Sequence, residues 1–370
     1  TLRVSVTAGG RAGTTTEAAS YDVASPSGAV RGNAASTGSV SMTVSGSGMG
    51  VSDYTGSARV GGTACETTLG WESDSSVRCL SAGGVYGTLR VSVTAGGRAG
   101  TTTEAASYDV ASLSSVKRSN AASTGSVSMT VSGSGMGVSD YTGSSRVGSS
   151  LCEASVWISD TRIECLVSGG IMSTLRVSVT AGGRVGTVSE VVSYDAVKIS
   201  SVTNRQDISG SSGVANLRTK GGVELVLYGS GLGMSDYTPS GRTGLEGCET
   251  SVWASDSALY CRTGFGAFGT VAATITAGVR VGSMTEVVSY NAPALSGVPS
   301  RGNTASTGSV SMTVVGNNIA INDYSQTARV GGTTCESSEW ESDSSVRCLS
   351  AGGVVSTRPV TVTAGVRVGT

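Results

Sequence analysis

The sequence predicts an all-β protein built from tandem β-sandwiches, and three observations support this prediction. In "SVSMTVSG" at 39–46, Val40, Met42 and Val44 alternate with polar residues, which is the pattern of a strand with one buried face. The 55 glycines fall between such segments, where turns are required. The same segments also return at a fixed interval along the chain. The chain therefore reads as several copies of one β module.

The repeating module has about 87 residues. Its "SDY" motif, which is "NDY" in the fourth copy, recurs at steps of 87, 96 and 87 residues, at Tyr54, Tyr141, Tyr237 and Tyr324. The longer step reflects an insertion within 202–222, "VTNRQDISGSSGVANLRTKGG". The composition of that stretch predicts a surface loop.

Module boundaries are placed after the tyrosine of "SYD" or "SYN". They give the segments 1–22, 23–109, 110–195, 196–291 and 292–370. Residues 1–25 return letter for letter at 88–112, so 1–22 is expected to be the C-terminal strands of a preceding repeat. The last segment is expected to lack its final strand, which suggests a window cut from a longer array. Donation of the missing strand by a second chain is the alternative.

The last hairpin of each module begins with a strand such as "TLRVSVTAG" at 88–96, and Val91 and Val93 are expected to face inward. A glycine turn leads into "TTTEAASYD", where Ala106 and Tyr108 should also face the core. The fourth copy has Pro359 in its first strand, which predicts a strand start or an unpaired edge there. Cross-strand ion pairs are expected on these hairpins, namely Arg98 with Glu104, Arg184 with Glu190, and Arg280 with Glu286.

The eight cysteines form one pair per module. This even, regular spacing is typical of disulfide-bonded proteins in an oxidising compartment. The predicted pairs are Cys65 with Cys79, Cys152 with Cys165, Cys248 with Cys261, and Cys335 with Cys348. A zinc site is disfavoured, because the chain has no histidine and no CxxC motif. Each bridge would stabilise a module whose core is thin.

Composition argues against several classes of function. The net charge is −1 and the sequence has no clusters of basic residues, so binding to nucleic acid is not expected. No apolar run is long enough to span a membrane. Histidine is absent and no paired carboxylates are visible, so we expect no enzymatic activity, no metal and no cofactor. The aspartates of "SDY" or "NDY" are expected to cap turns rather than to ligate calcium: Asp53, Asp140, Asp236 and Asp323.

Six or seven short strands with an internal disulfide predict a two-sheet sandwich of immunoglobulin type. The segments "SVSMTVSGSGMG", "ARVGGTACETTLGWESDSSVRC" and "GTLRVSVTAGGRAGTTTEAASYD" together resemble the IPT/TIG domain, which occurs in plexins, related receptors and some transcription factors. The resemblance implies tandem immunoglobulin-like modules. Links as short as "VASLSSV" predict an elongated, stiff rod that advances by roughly 35–45 Å per module.

A rod of near-identical modules favours a structural subunit of an extracellular or cell-surface fibril, such as a flagellar-hair-like filament, that polymerises through repeated contacts. The alternative is the rigid stalk of a receptor or adhesin whose binding head lies outside this segment. Clustered hydroxyls predict O-linked glycans, although Ser and Thr can also simply solvate a sheet. The candidate positions are Thr14, Thr15, Thr16, Thr101, Thr102 and Thr103.

Overall fold

The computed structural model describes residues 2–54, 56–141, 143–205, 215–267, 269–299, 303–354 and 356–370. The chain divides into two compact units. Unit 1 contains 1–119, 127–168 and 174–192, and unit 2 contains 120–126, 169–173 and 193–370. Throughout the described residues the regular structure is β-strand, so the predicted all-β class is confirmed.

The first element of unit 1 is an antiparallel hairpin whose residues are all exposed. Its strands are β1 (Leu2–Ala8) and β2 (Arg11–Ala19), which form a sheet of their own. A register shift between Leu2 and Val4 marks a β-bulge.

Module 1 is a complete sandwich within unit 1. Its strands are β3 (Ser25–Val30), β4 (Asn33–Ala34), β5 (Ser41–Ser47), β6 (Ser57–Val60), β7 (Thr63–Ala64), β8 (Thr67–Ser73), β9 (Ser76–Leu80), β10 (Leu89–Ala95) and β11 (Arg98–Tyr108). One sheet has the order β3-β5-β9-β8 and the other has the order β4-β11-β10-β6-β7. The short β4 runs parallel to the end of β11, whereas the other pairings are antiparallel.

Module 2 repeats this strand order. Its strands are β12 (Ser112–Lys117), β13 (Asn120–Ala121), β14 (Val127–Ser134), β15 (Ser144–Val147), β16 (Ser150–Leu151), β17 (Ala154–Ser159), β18 (Arg162–Val167), β19 (Leu175–Ala181) and β20 (Arg184–Tyr194). Unit 1 holds the sheet β12-β14-β18-β17 and the ladder β20-β19-β15-β16. In unit 2, β13 pairs in parallel with the last two residues of β20.

Module 3 lies in unit 2 and carries the insertion. Its strands are β21 (Lys198–Asn204), β22 (Ala215–Leu217), β23 (Glu224–Ser230), β24 (Ser240–Thr243), β25 (Glu246–Gly247), β26 (Thr250–Ser255), β27 (Ala258–Arg262), β28 (Thr270–Ala277) and β29 (Arg280–Tyr290). Its sheets have the orders β21-β23-β27-β26 and β22-β29-β28-β24-β25.

The prediction that 202–222 is one surface loop is wrong at both ends. Val202 belongs to β21 and Leu217 belongs to β22, and both side chains are buried in the module core. The reason is that a few apolar residues within the polar stretch complete both sheets. Residues 206–214, the middle of the insertion, lie outside the described residues.

Module 4 completes unit 2. Its strands are β30 (Ala294–Gly297), β31 (Ser311–Asn317), β32 (Thr327–Val330), β33 (Thr333–Thr334), β34 (Ser337–Ser342), β35 (Ser345–Leu349), β36 (Val360–Ala364) and β37 (Arg367–Gly369). Its sheets have the orders β30-β31-β35-β34 and β33-β32-β36-β37. Pro359 immediately precedes β36, which confirms the predicted strand start.

Each core lies between the two sheets, as the alternating pattern predicted. In module 1, Met42 and Val44 from one sheet meet Val91 and Val93 from the other, and all four are buried together with Tyr108. Modules 3 and 4 have clusters of the same plan. A tryptophan closes one end of the core in module 1, where the Trp71 indole nitrogen donates to the carbonyl of Gly50 over 2.9 Å.

The four cysteine pairs are disulfides in the structure. In module 1, Cys79 lies on β9 of one sheet and Cys65 directly follows β7 of the other, so the bond joins the two sheets. The Cα–Cα distances are 5.9, 5.6, 5.5 and 5.7 Å along the chain. Closing loops of 13 or 14 residues stabilises each fold by about 3 kcal/mol in the chain-entropy description.

Within the described residues, no helix has the length and apolar character needed to cross a membrane.

Candidate functional site: the junctions between modules

In each of the first three modules, one serine or threonine hydroxyl donates a hydrogen bond to an aspartate of the next module. Ser36 Oγ donates to Asp160 Oδ1 over 2.5 Å in unit 1. In unit 2, Ser123 Oγ donates to Asp256 Oδ1 over 2.6 Å, and Thr219 Oγ1 donates to Asp343 Oδ1 over 2.8 Å. The three hydroxyl-bearing residues are buried. One polar contact is therefore repeated at three junctions.

The accepting aspartate also holds a tight turn of its own module. Asp160 Oδ1 accepts the Gly137 amide over 2.8 Å, and Asp256 Oδ1 accepts the Gly233 amide over 2.7 Å. Asp343 Oδ1 likewise accepts the amide of Ala320 over 3.0 Å. A carboxylate oxygen has two acceptor positions, so one oxygen can serve both the turn and the neighbouring module. Each aspartate therefore contacts both a turn of its own module and the hydroxyl of the preceding module.

An apolar side chain lies beside this polar bond. Val85, six residues after the second cysteine of module 1, is 1% exposed, and its counterparts Ile171 and Ala267 are each 3% exposed. Gly137 has φ +95°, and a Cβ there would lie 2.7 Å from Val85 Cγ1, so a larger residue would displace that valine. Gly233 stands in the same relation to Ile171, at 2.7 Å from Cγ2. Glycine turns of one module thus accommodate the apolar side chain of the module before it.

The same positions in module 4 are open. Val354 corresponds to Val85 and is 91% exposed, and Ser306 corresponds to Ser36 and is also exposed. The local sequences "NAASTGSV" and "NTASTGSV" differ at one position, so composition does not explain the difference. Burial at the three internal junctions is therefore a consequence of contact with the following module.

Tyrosines surround the junctions. Tyr108 ends β11, and its hydroxyl donates to the carbonyl of Ala82 over 2.6 Å. Tyr86 of module 1 meets Tyr141 of module 2 edge to face, with ring centroids 6.0 Å apart and an angle of 87°. Burial raises the pKa of Tyr108 above its usual 10.0, and Tyr141 and Glu66 raise it further.

The junction between modules 3 and 4 shows the same effect. Burial is the main cause that raises the pKa of Tyr290; Glu246 adds to the increase, and the hydrogen bond with Thr243 opposes it. Burial also raises the pKa of Tyr324 of module 4, and Glu246 and Tyr290 raise it further. Phenols with raised pKa values stay protonated at neutral pH.

The expected cross-strand pairs Arg98–Glu104, Arg184–Glu190 and Arg280–Glu286 are wrong. Both members of each pair lie on one strand, six residues apart, and the glutamates have positive φ angles of 56° to 58°. Arg98 instead donates to the carbonyl of Tyr21, and Arg184 donates to the carbonyl of Tyr108. Through these hydrogen bonds, each arginine joins the last hairpin of its module to the chain segment that directly precedes the module.

The other predicted positions lie away from the junction bond. Asp236 Oδ1 accepts the amide of Thr238 over 2.8 Å, and Asp323 Oδ1 accepts the amide of Ser325 over 2.9 Å, so both aspartates cap turns. The candidate O-glycosylation sites Thr14, Thr15, Thr16, Thr101 and Thr103 are exposed, and Thr102 is half-buried. Their modification stays a prediction.

Sequence reasoning missed the hydroxyl–aspartate bond. Its partners are 124 or 133 residues apart, and serine, threonine and aspartate are common throughout the chain. The available signal was positional: the Asp of the turn after each tryptophan recurs with the same period as the hydroxyl residue, one module later.

Comparison with known proteins identifies one domain family in this chain. The sequence model of the IPT/TIG domain matches residues 31–109 and 111–195. No curated protein has significant sequence similarity to the chain. Domains of that family are typically non-enzymatic.

Several solved structures are similar at low identity. The extracellular region of plexin A4 has 14% identity and a TM-score of 0.26, over 95% of this chain and 30% of that chain. A surface glycan-binding protein from Prevotella bryantii has 11% identity and a TM-score of 0.32, over 94% of this chain and 98% of that one. The I9–I11 tandem of titin has 12% identity and a TM-score of 0.24, over 70% and 96%. The chain thus spans about a third of the plexin chain that it matches.

The matched segments carry the disulfide, the glycine turns and the two-sheet strand order described above, and the same order continues in modules 3 and 4. The two matched segments, residues 31–109 and 111–195, are therefore IPT/TIG domains.

Proposed function

We propose that the chain is a structural subunit of an extracellular or cell-surface fibril in which IPT/TIG modules are held end to end. The observation that carries this proposal is the junction bond between a hydroxyl and an aspartate, made three times with a buried apolar residue beside it. A subunit that transmits force needs the same contact at every step, and near-identical modules supply it.

The energies of these contacts support a stiff connection. A hydrogen bond to a charged group stabilises by about 1.5–3 kcal/mol. Full burial of a valine or isoleucine side chain adds about 1.5–3 kcal/mol. Together they exceed thermal energy several-fold, so neighbouring modules would rarely separate. This supports a stiff link at each junction that carries the contact.

The four disulfides support an extracytoplasmic location, since such bonds persist in oxidising compartments. The exposed threonines of the last hairpins support O-linked glycosylation of the surface. Within the described ranges, the titratable groups with clearly raised pKa values are three tyrosines, which is in line with a role without catalysis.

Electron microscopy of the native material tests the fibril. We expect filaments with an axial repeat of roughly 35–45 Å, or a multiple of it. Isolated rods that never associate laterally or end to end would contradict the fibril and favour a stalk of a receptor or adhesin. Intact-mass measurement tests the glycans, and a mass equal to the 36.6 kDa polypeptide would rule them out for this segment.

A further inference from the structure

The four-stranded sheet of each module ends in a strand that has no neighbour on its outer side. These outer strands are β8, β17, β26 and β34. Across the described residues no further strand pairs with them. An edge strand offers a row of free backbone N–H and C=O groups, and proteins usually protect such edges with charges or bulges.

Modules 1 and 4 protect this edge. In β34, the outward positions on both sides of Trp340 are Glu339 and Glu341, and both carboxylates contact Arg347, at 3.6 and 2.5 Å. In β8, Glu72 contacts Arg78 at 2.5 Å, and register shifts interrupt the pairing on both sides of Trp71. A charge on the edge opposes the approach of a second strand, because that strand would have to desolvate it.

Modules 2 and 3 lack these charges, although β17 and β26 each keep one register shift after the tryptophan. Val156 and Ile158 of β17 stand where module 4 has its two glutamates, and they are 52% and 46% exposed. Val252 of β26 is 55% exposed, and Ala254 takes the second position. Neither β17 nor β26 contains a charged residue.

The uncharged edges of β17 and β26 are compatible with pairing to a second copy of the same strand. When two identical strands pair antiparallel about the central tryptophan, the residue before the tryptophan lies opposite the residue after it. Two copies of β34 would therefore bring glutamates together, which is destabilising. Two copies of β17 bring only alanine, serine, valine, isoleucine and tryptophan side chains together, so the hydrogen-bond row can extend without a charge penalty. The partner that fits this edge is the same edge of a second chain.

We propose that β17 and β26 each pair, antiparallel, with the same strand of a second copy of this chain. The proposal names the lateral contact of the proposed fibril and rests on that function. A self-complementary edge alone gives a closed dimer, whereas two such edges on one chain allow each copy to bind two others and the assembly to continue.

Size-exclusion chromatography with light scattering over a range of protein concentrations tests this proposal on the full chain. The wild type should form species larger than dimers whose mass rises with concentration. The variant V156E/I158E should stop at a dimer through β26, and V252E/A254E should stop at a dimer through β17. The fourfold variant should be a monomer. Circular dichroism and a thermal melt check that each variant folds, and module 4 carries glutamate at both positions in the same sheet.

Two further variants sharpen the test. Val30→Glu places a charge on β3, the opposite edge of the same sheet in module 1, and should leave the assembly unchanged; module 2 has the charged Lys117 at that position. Conversely, E339V/E341A removes the protection of β34 and should increase the mass of the assembly.

The outcomes distinguish failure of the strand pairing from failure of the proposed fibril. A wild type that stays monomeric at all concentrations, or a fourfold variant that assembles as the wild type does, overturns the pairing of the edges. Filaments that form from the folded fourfold variant would leave the fibril in place and assign it to other contacts. Loss of association in the fourfold variant, with its fold intact, supports the edges.

Discussion

The junction between modules 1 and 2 and the junction between modules 3 and 4 share one bond and differ around it. Both bury a hydroxyl against an aspartate, Ser36 with Asp160 and Thr219 with Asp343. The first adds Val85 and a pair of tyrosine rings. The second has the smaller Ala267 and an ion pair from Lys220.

The comparison of the two junctions indicates different roles for the hydroxyl–aspartate bond and for the apolar side chain beside it. The hydroxyl–aspartate bond stays constant because it is directional, and it fixes how one module meets the next. The apolar side chain varies in size, so it changes the strength of the contact without changing its geometry. We therefore expect loss of the aspartate to affect both junctions alike, and loss of apolar contact to affect the first junction more.

The largest effect is expected from replacement of the aspartate. Asp160→Ala leaves the buried hydroxyl of Ser36 and the amide of Gly137 without their acceptor, which should lower the free energy of unfolding by about 3 kcal/mol. Asp343→Ala should have a similar effect. Urea unfolding followed by tryptophan fluorescence measures both.

The matched control is Asp74→Ala in module 1. Asp74 accepts the amides of Gly48 and Gly50, as its counterparts accept turn amides, and in the part of the chain that the structure describes both of these bonds lie within module 1. Its loss should cost about 1–2 kcal/mol less than the loss of Asp160. Equal losses at the two positions would mean that the junction bond adds nothing.

A smaller effect is expected from truncation of the apolar residue. Val85→Ala removes two buried methyl groups and should destabilise unit 1 by about 1–2 kcal/mol, since the cavity adds to the lost transfer free energy. Val354→Ala, at the exposed counterpart, should stay within about 0.5 kcal/mol of the wild type. A cost at Val354 as large as that at Val85 would contradict the assignment of burial to the junction.

Alkaline pH should weaken both junctions. The folded pKa of Tyr108 and of Tyr290 lies above the unfolded value of 10.0, so their contribution is fully present below pH 10 and is lost as the pH rises toward the folded values. Stability measured in urea should therefore be steady from pH 7 to about pH 9 and fall above pH 10. Tyr108→Phe should reduce that fall in unit 1, and an unchanged alkaline slope would assign it to other groups.

The smallest effect concerns the ion pair of the second junction. Lys220 Nζ lies 3.7 Å from Asp343 Oδ2, and the lysine side chain is largely exposed. Lys220→Ala should change the stability of unit 2 by less than about 1 kcal/mol, and the change should disappear in high salt. A large loss of stability that persists in high salt would contradict the assignment of Lys220 to a weak surface ion pair.

The strands and the cores could be predicted from the sequence because period-two alternation and an 87-residue repeat reinforce each other. Residues such as Val91 and Tyr108 lie where the pattern predicted. The ends of the insertion could not be predicted, since Val202 and Leu217 are isolated apolar residues within a polar stretch and only the completed sheet shows their burial. The junction bond and the backbone contact of Arg184 depend on how one copy meets the next, which repetition alone does not specify.

A double-mutant cycle between Ser36 and Asp160 tests the central claim most directly, since it measures the coupling of the two residues across the junction. The wild type, Ser36→Ala, Asp160→Ala and the double variant are compared by urea unfolding. We predict a coupling free energy of about 1–2 kcal/mol, because the bond is buried and charge-assisted. Additive effects, with a coupling within about 0.3 kcal/mol of zero, would contradict an energetic link between the modules at this bond.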